Sequence, residues 1–317
     1  MENVQHCISA QQWKRSDLES LFTEASRLKK IFLTNDSDGI NQEGRMLSGK
    51  RLATVFYEPS TRTRFSFEAA MQALGGTVLS TENASAFSSV IKGESLEDTV
   101  RVLAGYADCI VLRHHESGSA SRAAEVSNVP IINAGDGAGQ HPTQSLLDVF
   151  TIQDRFGSID GIRIAIMGDL LYGRTAHSLA YMLAKSYKDI YMYLVSPDML
   201  RMRSDVLEYL GRKTNVVFKE ALEMETVLPM CDVVYQTRIQ KERFGDRIGD
   251  YDQVRGIYTI GVKEMNLMRH SSILMHPLPR VDEIHPDVDA DPRAVYFEQA
   301  RNGLYVRMAL LKKLLLK

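Results

Sequence analysis

Cysteine, tryptophan and long apolar runs are scarce in this sequence of 317 residues. The three cysteines, Cys7, Cys109 and Cys231, are scattered along the chain, and two of them lie in strand-like apolar runs. We therefore expect buried thiols in a reduced compartment, and no spacing indicates a zinc site. No apolar run approaches the roughly 18 residues that a membrane span requires. The chain is accordingly expected to be cytoplasmic, with no metal and no membrane partner.

An excess of charge of one sign is missing as well. The chain has 38 Lys and Arg against 40 Asp and Glu, a net charge of −2. No basic block is present to follow a nucleic-acid backbone, so no nucleic-acid partner is expected. The first residues, Met1-Glu-Asn-Val-Gln-His6, lack the basic, apolar and small-residue order of a signal peptide. With 44% apolar and 25% charged residues, the composition is that of a soluble globular enzyme.

The order of periodic segments predicts the fold. Helical and strand-like patterns alternate twice along the chain, which favours two parallel-sheet α/β domains joined by interdomain helices. We expect one domain over 1–142, a second over 143–297, and a C-terminal helix, 298–317, that returns to the first. The predicted strands lie at residues 52–56, 77–80, 108–112, 130–133, 163–167, 190–195, 216–218, 233–235, 258–260 and 273–274. The predicted helices lie at residues 16–33, 65–74, 95–106, 120–126, 141–156, 175–185, 204–213 and 297–316, and the segments 35–39 and 134–139 are predicted loops.

The segment Tyr57-Glu-Pro-Ser-Thr-Arg-Thr-Arg-Phe-Ser-Phe67 follows the first predicted strand and begins a helix. Ser60 is a good N-cap residue, and two guanidiniums, those of Arg62 and Arg64, crowd the same helix N-terminus. Free N–H groups and a positive dipole make that end suitable for a phosphate, and arginine adds bidentate bonds. In isolation, a solvated cap with two surface arginines explains the segment equally well.

Three further segments of the first half follow predicted strands or precede helices. Ser88-Ser-Val-Ile-Lys92 is rich in hydroxyls with one lysine, although a plain surface loop explains it better when it is taken alone. Arg113 ends a strand, where ligands bind in α/β sheets. His141-Pro-Thr-Gln144 begins a helix, so we expect a neutral His141 that donates a hydrogen bond to a carbonyl oxygen. A capping role for His141 remains the alternative.

The second half carries three comparable segments. Gly168-Asp-Leu-Leu-Tyr-Gly173-Arg174 departs from the G-x-G-x-x-G pattern of dinucleotide binding and directs a guanidinium at the cleft instead. Thr237-Arg238-Ile-Gln240 follows another strand and supplies a second arginine. His276-Pro-Leu-Pro-Arg280 predicts a rigid turn in which Leu278–Pro279 is a candidate cis bond. Cations and hydroxyls at strand ends, without a nucleophile–base pair, indicate catalysis by positioning and charge stabilisation.

Together these seven motifs, in this order, resemble the aspartate/ornithine transcarbamylase family over nearly the whole chain. The resemblance implies transfer of a carbamoyl group from carbamoyl phosphate to the amine of L-aspartate, which gives N-carbamoyl-L-aspartate and phosphate in pyrimidine biosynthesis. It implies no cofactor and no metal. It also implies a homotrimer with shared active sites, and it leaves open regulatory chains or a dihydroorotase as partners.

The resemblance implies a role for each matching residue. The carbamoyl phosphate group would be bound by Ser60, Thr61, Arg62, Thr63, Arg113, His141, Gln144, Pro277 and Leu278, and by Ser88 and Lys92 of a neighbouring subunit. The catalytic residues among them would be Arg62, Thr63, Lys92, Arg113 and His141. Aspartate would be held by Lys92, Arg174, Arg238, Gln240 and Leu278. Glu58 and Arg243 would bridge the two domains.

Aspartate is favoured over ornithine as the acceptor, because Arg174 and Arg238 suit two carboxylates and repel a cationic side chain. The ornithine branch of the family typically has cysteine where this chain has Pro277. Leu171 stands where regulated enteric-type members have lysine, and the segment 244–252 is longer than theirs. We therefore hypothesise that the chain lacks their regulated tense state.

Three other functions compete with this interpretation. One is a transcarbamylase with another acceptor, and a second is an inactive paralogue that serves as a structural subunit. Retention of residues such as Arg62, Arg113 and His141 argues against inactivity. The third, a Rossmann dehydrogenase, would have to bind NAD without its glycine fingerprint.

Overall fold

The computed structural model describes residues 5–84, 93–221, 223–241, 244–245 and 248–316. The chain divides into two compact units: unit 1 comprises Met1–Phe150 and Arg301–Lys317, and unit 2 comprises Thr151–Ala300. Each division falls inside a helix, whereas the sequence analysis put the divisions close to helix starts. Helices of 15 and 20 residues are long enough to contribute residues to two units.

Unit 1 is built on a four-stranded parallel sheet. Its strands are β1 (Arg51–Phe56), β2 (Thr77–Glu82), β3 (Cys109–His114) and β4 (Ile131–Asp136). The strand order is β2-β1-β3-β4, with Leu52 of β1 paired to Val78 on one side and Cys109 on the other. The chain leaves β1 toward one neighbour and later returns to the other, so the carboxyl ends of β1 and β3 form a topological switch point.

Unit 2 repeats this arrangement with five parallel strands. They are β5 (Arg163–Met167), β6 (Ile190–Val195), β7 (Val216–Ala221), β8 (Val233–Gln236) and β9 (Ile273–Met275). The order β7-β6-β5-β8-β9 places the switch point at the carboxyl ends of β5 and β8. The two all-parallel sheets confirm the predicted α/β class.

Helices connect the strands in the described part of the chain. They are α1 (Arg15–Leu33), α2 (Ser37–Glu43), α3 (Thr61–Ala73), α4 (Leu96–Ala104), α5 (Ser119–Val126), α6 (Pro142–Phe156), α7 (Arg174–Ser186), α8 (Ser204–Gly211), α9 (Met224–Val227), α10 (Ile248–Val254), α11 (Val262–Leu267) and α12 (Tyr296–Leu315). Among the described residues, no helix combines the length and the apolar character that crossing a membrane would need.

Three sequence predictions of local structure were wrong. The predicted loop 35–39 contains the start of α2, because Asp36 caps this helix by accepting the Gly39 N–H at 3.2 Å. The predicted strand 258–260 forms only an isolated bridge between Ile260 and Ile284, since its apolar side chains pack in the core of unit 2 without a ladder partner. The predicted loop 134–139 begins as the buried end of β4.

Candidate active site

The switch point of unit 1 contains an open helix N-terminus. Ser60 occupies the N-cap position of α3, as predicted, but its hydroxyl makes no capping bond. It accepts a hydrogen bond from Arg113 Nη1 at 3.3 Å instead. Because the N-cap side chain leaves the first N–H groups of α3 unoccupied, this helix end retains its donors and its positive dipole for an anion.

The two arginines of this motif differ in their environment. Arg62 is exposed, and no ion pair or hydrogen bond within the described ranges engages its guanidinium. Arg64 instead bonds Glu82 Oε2 at 2.9 Å and Ser80 Oγ at 3.2 Å, both of which belong to β2. The sequence motif predicts that both guanidiniums serve the anion site. The structure leaves only Arg62 of the two available there, since Glu82 and Ser80 of β2 bind Arg64.

Arg113 at the end of β3 links three parts of the switch point. Besides Ser60, its Nη1 contacts the Ala134 carbonyl oxygen at 3.5 Å, and its Nε lies 3.6 Å from Glu58 Oε2. Glu58, the predicted interdomain residue, therefore pairs within unit 1 in this structure. A partly buried guanidinium beside an open helix N-terminus can bind both a phosphate and a polarised carbonyl oxygen.

His141 lies directly before α6 and contacts two threonine hydroxyls. Its Nε2 is 3.5 Å from Thr63 Oγ1, and its Nδ1 is 3.5 Å from Thr143 Oγ1. All three side chains are buried. The distance to Thr63 exceeds the roughly 2.6–3.2 Å expected between a nucleophile and its general base. Thr63 and His141 are therefore neighbouring polar groups and not a nucleophile–base pair in this structure, and the helix begins at Pro142 as predicted.

Gln144 in the first turn of α6 has a buried partner that the sequence analysis missed. Its Nε2 donates to Asp148 Oδ1 at 2.8 Å. The spacing of four residues on a predicted helix could have suggested the contact. The predicted site residues that this switch point brings together are Ser60, Thr61, Arg62, Thr63, Arg113, His141 and Gln144. Ser88, Lys92 and Arg243 lie outside the described residues.

The adjacent histidines and the cysteines are packed against other side chains or buried. His114 stacks on His115 with ring centroids 4.2 Å apart, and burial lowers the pKa of His114. The cysteine thiols are free and buried, and burial raises the pKa of Cys7 to about 12. Within the described ranges, no group of three or more His, Cys, Asp or Glu side chains could hold a metal ion.

Close backbone contact shapes the switch point of unit 2. Gly168 follows β5 with a φ of 109°, and a Cβ there would collide with the Thr237 carbonyl oxygen after β8. The Asp169 N–H donates to Thr237 Oγ1 at 3.2 Å. Only glycine allows this φ and this short distance between the two backbones. The ends of β5 and β8 therefore lie in direct contact at residues 168 and 237.

Asp169 joins the same two loops through its side chain. It is fully buried and accepts the Tyr172 N–H at 2.8 Å and Gln240 Nε2 at 3.3 Å. Burial raises the pKa of this carboxyl group, and the hydrogen bonds oppose that effect. Gln240, a predicted aspartate ligand, is therefore positioned by a buried acid that the sequence analysis quoted but did not assign.

The two predicted carboxylate-binding arginines occupy these loops. Arg174 is the first residue of α7, and its N–H donates to the Tyr172 carbonyl oxygen at 2.9 Å. Arg238 follows β8, and both side chains are partly exposed. Leu171, between Asp169 and Arg174, packs in an apolar cluster with Leu200, Phe244 and Val254.

A buried, hydrogen-bonded pair of side chains shapes the turn after β9. His276 Nδ1 accepts the Leu278 N–H at 2.7 Å, and Nε2 lies 2.7 Å from Glu283 Oε1. Leu278 has a φ of 54°, which is unusual for a residue with a side chain, and the predicted cis Leu278–Pro279 bond is confirmed. Glu283 had no signal in the sequence, since nothing in its spacing marks it as the partner of His276.

Two parallel-sheet units with cations and hydroxyls at their switch points define a two-domain α/β enzyme that binds its ligands at strand ends. Residues 5–154 match the aspartate/ornithine carbamoyltransferase, carbamoyl-P binding domain, and residues 160–314 match the Asp/Orn binding domain of the same family. The chain therefore belongs to the aspartate/ornithine carbamoyltransferase family.

Individual relatives agree with that assignment. Aspartate carbamoyltransferase 1, chloroplastic, of Pisum sativum is 54% identical over 309 residues, 98% of this chain and 78% of the pea protein. The catalytic subunit of M. jannaschii aspartate transcarbamoylase superposes with a TM-score of 0.87 at 49% identity, covering 98% of both chains. Aspartate transcarbamoylase from Trypanosoma cruzi, solved in complex with carbamoyl phosphate and aspartate, gives a TM-score of 0.89 at 41% identity, covering 98% and 97%.

Proposed function

We propose that this chain is an aspartate carbamoyltransferase, which transfers the carbamoyl group of carbamoyl phosphate to the amine of L-aspartate in pyrimidine biosynthesis. The observation that carries the proposal is the open N-terminus of α3 at the switch point of unit 1, with Arg62 and Arg113 beside it. The relatives named for this activity support the choice of acceptor.

The phosphate of the donor binds at the N-terminus of α3. Ser60, Thr61 and Thr63 offer hydroxyls, the first turn of α3 offers backbone N–H groups, and Arg62 supplies a charge that no described partner neutralises. A dianionic phosphate gains both from the helix dipole and from charge-assisted bonds. Arg62 also stabilises the phosphate as it leaves.

The carbamoyl oxygen is polarised by Arg113, Thr63 and His141. Hydrogen-bond donors aimed at an oxygen that becomes negative stabilise the transition state more than the ground state. Arg113 contacts Ser60 at 3.3 Å and His141 contacts Thr63 at 3.5 Å. Ser60 and Thr63 both lie at the N-terminus of α3, which supports a common position for these donors. Gln144 takes the carbamoyl NH2 group.

Aspartate is bound by Arg174, Arg238 and Gln240, and the backbone of Pro277 and Leu278 contacts the amine or the carbamoyl nitrogen. Two guanidiniums match two carboxylates, whereas the ammonium of ornithine would be repelled. The contact of Gln240 with the buried Asp169 supports a fixed orientation of the Gln240 side chain.

The reaction follows from these positions. The lone pair of the deprotonated amine attacks the carbamoyl carbon, which gives a tetrahedral oxyanion. The bond between this carbon and the phosphate oxygen then breaks, its electron pair leaves with phosphate, and phosphate takes up the proton released by the attacking nitrogen. The chain supplies orientation and charge stabilisation, which together account for large rate enhancements.

The proposal extends to assembly and location. Ser88 and Lys92 reach the site of a neighbouring subunit in a homotrimer, Lys92 contacting both substrates, and Glu58 bridges to Arg243 when the domains close. The free, buried cysteines support a reducing compartment such as the cytoplasm. The apolar surroundings of Leu171 support the absence of a regulated tense state. A strongly sigmoidal aspartate curve that nucleotides shift would contradict this last point.

The purified chain alone tests the proposal. Labelled carbamoyl phosphate is supplied with aspartate and, in parallel, with ornithine. We expect turnover with aspartate only. Turnover with ornithine would overturn the argument from Arg174 and Arg238, and absence of turnover with both acceptors would favour an inactive structural subunit.

A further inference from the structure

The orientation of the Gln144 side chain is fixed by an acid behind it. Gln144 is 8% exposed, Asp148 is fully buried, and the Gln144 Nε2 donates to Asp148 Oδ1 at 2.8 Å. An ionised carboxylate only accepts hydrogen bonds, whereas a side-chain amide has a donor end and an acceptor end. The donor end of Gln144 must therefore face Asp148, which leaves Oε1 as the end available to another partner.

Arg307 of α12 supplies the countercharge to Asp148. Its side chain is buried, and its guanidinium carbon lies 5.0 Å from the centre of the Phe67 ring. Burial lowers the pKa of Arg307 to about 10, and the negative charge of Asp148 opposes this effect. Arg307 is thus cationic at neutral pH. Gly303, one turn earlier, leaves room for it, since a Cβ there would collide with Arg307 Nη1.

Conformational stability does not account for these buried groups. Removing a carboxylate and a guanidinium from water is unfavourable for each group, and their attraction often only balances that cost. A side-chain pair at positions i and i+4 stabilises a helix only weakly. A requirement for one orientation of the amide does account for them, because a neutral or apolar neighbour would let the amide flip.

We infer that Asp148 is a positioning residue that turns the Gln144 amide so that Oε1 accepts a hydrogen bond from the NH2 group of the donor. The inference rests on the proposed function, in which Gln144 takes the carbamoyl NH2. Asp148 then determines donor specificity, because a carbamoyl group has N–H bonds to donate and an acyl group with a methyl in its place has none. If the amide were flipped, the Nε2 donor of Gln144 would face the N–H donors of the carbamoyl group.

Two unreactive phosphonates test this inference. Phosphonoacetamide carries the NH2 group, and 2-oxopropylphosphonate carries a methyl in its place. The inhibition constant of each against carbamoyl phosphate is measured with the full chain. The ratio of the two constants compares ligands in one preparation, so it does not depend on the fraction of folded enzyme. We expect the wild-type enzyme to prefer the amide and Asp148→Asn to lose about tenfold of that preference.

The variants are chosen so that a purely structural role gives a different result. Asn at 148 can donate to Gln144 Oε1 and thereby stabilise the flipped amide. Gln144→Ala should lose the same preference, and adding Asp148→Asn to it should cause no further loss. Arg307→Met should also lower the ratio, and it serves if Asp148→Asn does not fold. Ser145→Ala removes a buried hydroxyl that bonds the Pro142 carbonyl oxygen, and it should leave the ratio unchanged.

The possible outcomes separate the inference from the proposed function. A wild-type chain that binds neither phosphonate and transfers nothing to aspartate contradicts the proposed function. A wild-type chain that prefers the amide, together with an Asp148→Asn variant of equal preference, contradicts only the inference. An equal loss from Asp148→Asn with and without Gln144 would also overturn it, because Asp148 would then act by another route.

Discussion

The two switch points hold their candidate ligand-binding groups in different ways. In unit 1, the helix N-terminus of α3 and the guanidinium of Arg62 lie at the surface of the site, and Arg113 comes straight from the end of β3. In unit 2, Gln240 is held by the buried Asp169, and the turn at Leu278 is held by the buried His276. The phosphate-binding groups of the first unit thus come directly from the backbone and the surface, whereas the groups of the second unit are supported by buried polar side chains.

This difference follows from what each half recognises. A phosphate is compact and symmetric, so the backbone N–H groups of a helix N-terminus and one or two arginine side chains are enough to bind it. An amino acid with two carboxylates has a fixed spacing of charges, so separate side chains must be held at matched positions. Buried acids and imidazoles can do that, because their own hydrogen bonds leave them few orientations.

Replacing Arg62 tests direct presentation, and it should give the largest effect. We expect Arg62→Ala to lower kcat/KM for carbamoyl phosphate by about a thousandfold, since one charge-assisted contact to the transition state is lost. The matched control is Arg64→Ala, two residues away in the same helix, whose guanidinium bonds Glu82. It should stay within about threefold of the wild type and lose only about 1 kcal/mol of stability. Equal effects of the two substitutions would show that the structural distinction between them is wrong.

Replacing Arg238 addresses the second half of the comparison. We expect Arg238→Ala to raise KM for aspartate by about a hundredfold, because a bond to a charged group is lost, and to leave KM for carbamoyl phosphate nearly unchanged. Steady-state kinetics with each substrate varied in turn gives both values. Arg212→Ala, which removes an exposed arginine paired with Glu208 in unit 2, is the control. A parallel rise in both KM values would mean that the two halves do not recognise separate substrates.

The same contrast explains what could be predicted from the sequence. The strand, proline, hydroxyl and arginine order around Ser60 is local, so it predicted the N-cap that the structure confirms, and the anion site beside it stays a prediction. The contact of Gln144 with Asp148 was missed although its i, i+4 spacing is local. The contact of His276 with Glu283 and the redirection of Arg64 to Glu82 join separate segments of the chain, which no local pattern encodes. The helix at Ser37–Glu43 was missed because its cap, Asp36, lies in a polar segment typical of loops.

His177 makes the stability of unit 2 depend on pH. It is 1% exposed, its Nε2 contacts the Leu170 carbonyl oxygen at 2.7 Å, and burial lowers its pKa from 6.5 to about 4. As pH falls below 6.5, the unfolded chain binds a proton that the folded chain refuses, so the free energy of unfolding decreases until about pH 4. Relative to about pH 7.5, this contributes a loss of about 2 kcal/mol at pH 5.

Urea unfolding of the wild type and of His177→Gln at both pH values isolates this contribution. Glutamine retains a donor for the Leu170 carbonyl oxygen but does not titrate, so the loss on acidification should be smaller by about 2 kcal/mol. Hydrogen exchange should place the difference in α7 and its neighbours within unit 2. An identical pH dependence in both proteins would show that His177 does not cause the loss of stability on acidification. The two units would then differ only in how they hold their ligand-binding groups.

The smallest effect should separate the two hydrogen bonds of His276. Asparagine at this position keeps an acceptor near the place of Nδ1, so His276→Asn should retain the Leu278 contact and lose the Glu283 contact. Glutamine keeps a donor near the place of Nε2, so His276→Gln should do the reverse.

If the turn at Leu278 positions the substrate, His276→Gln should lower kcat/KM for aspartate by about tenfold, and His276→Asn by only about threefold. Stability should show the opposite order, because a buried Glu283 without its imidazole costs about 1–3 kcal/mol. Equal losses in both measurements would mean that the pair acts only as packing, and unit 2 would then present its ligands as directly as unit 1 does.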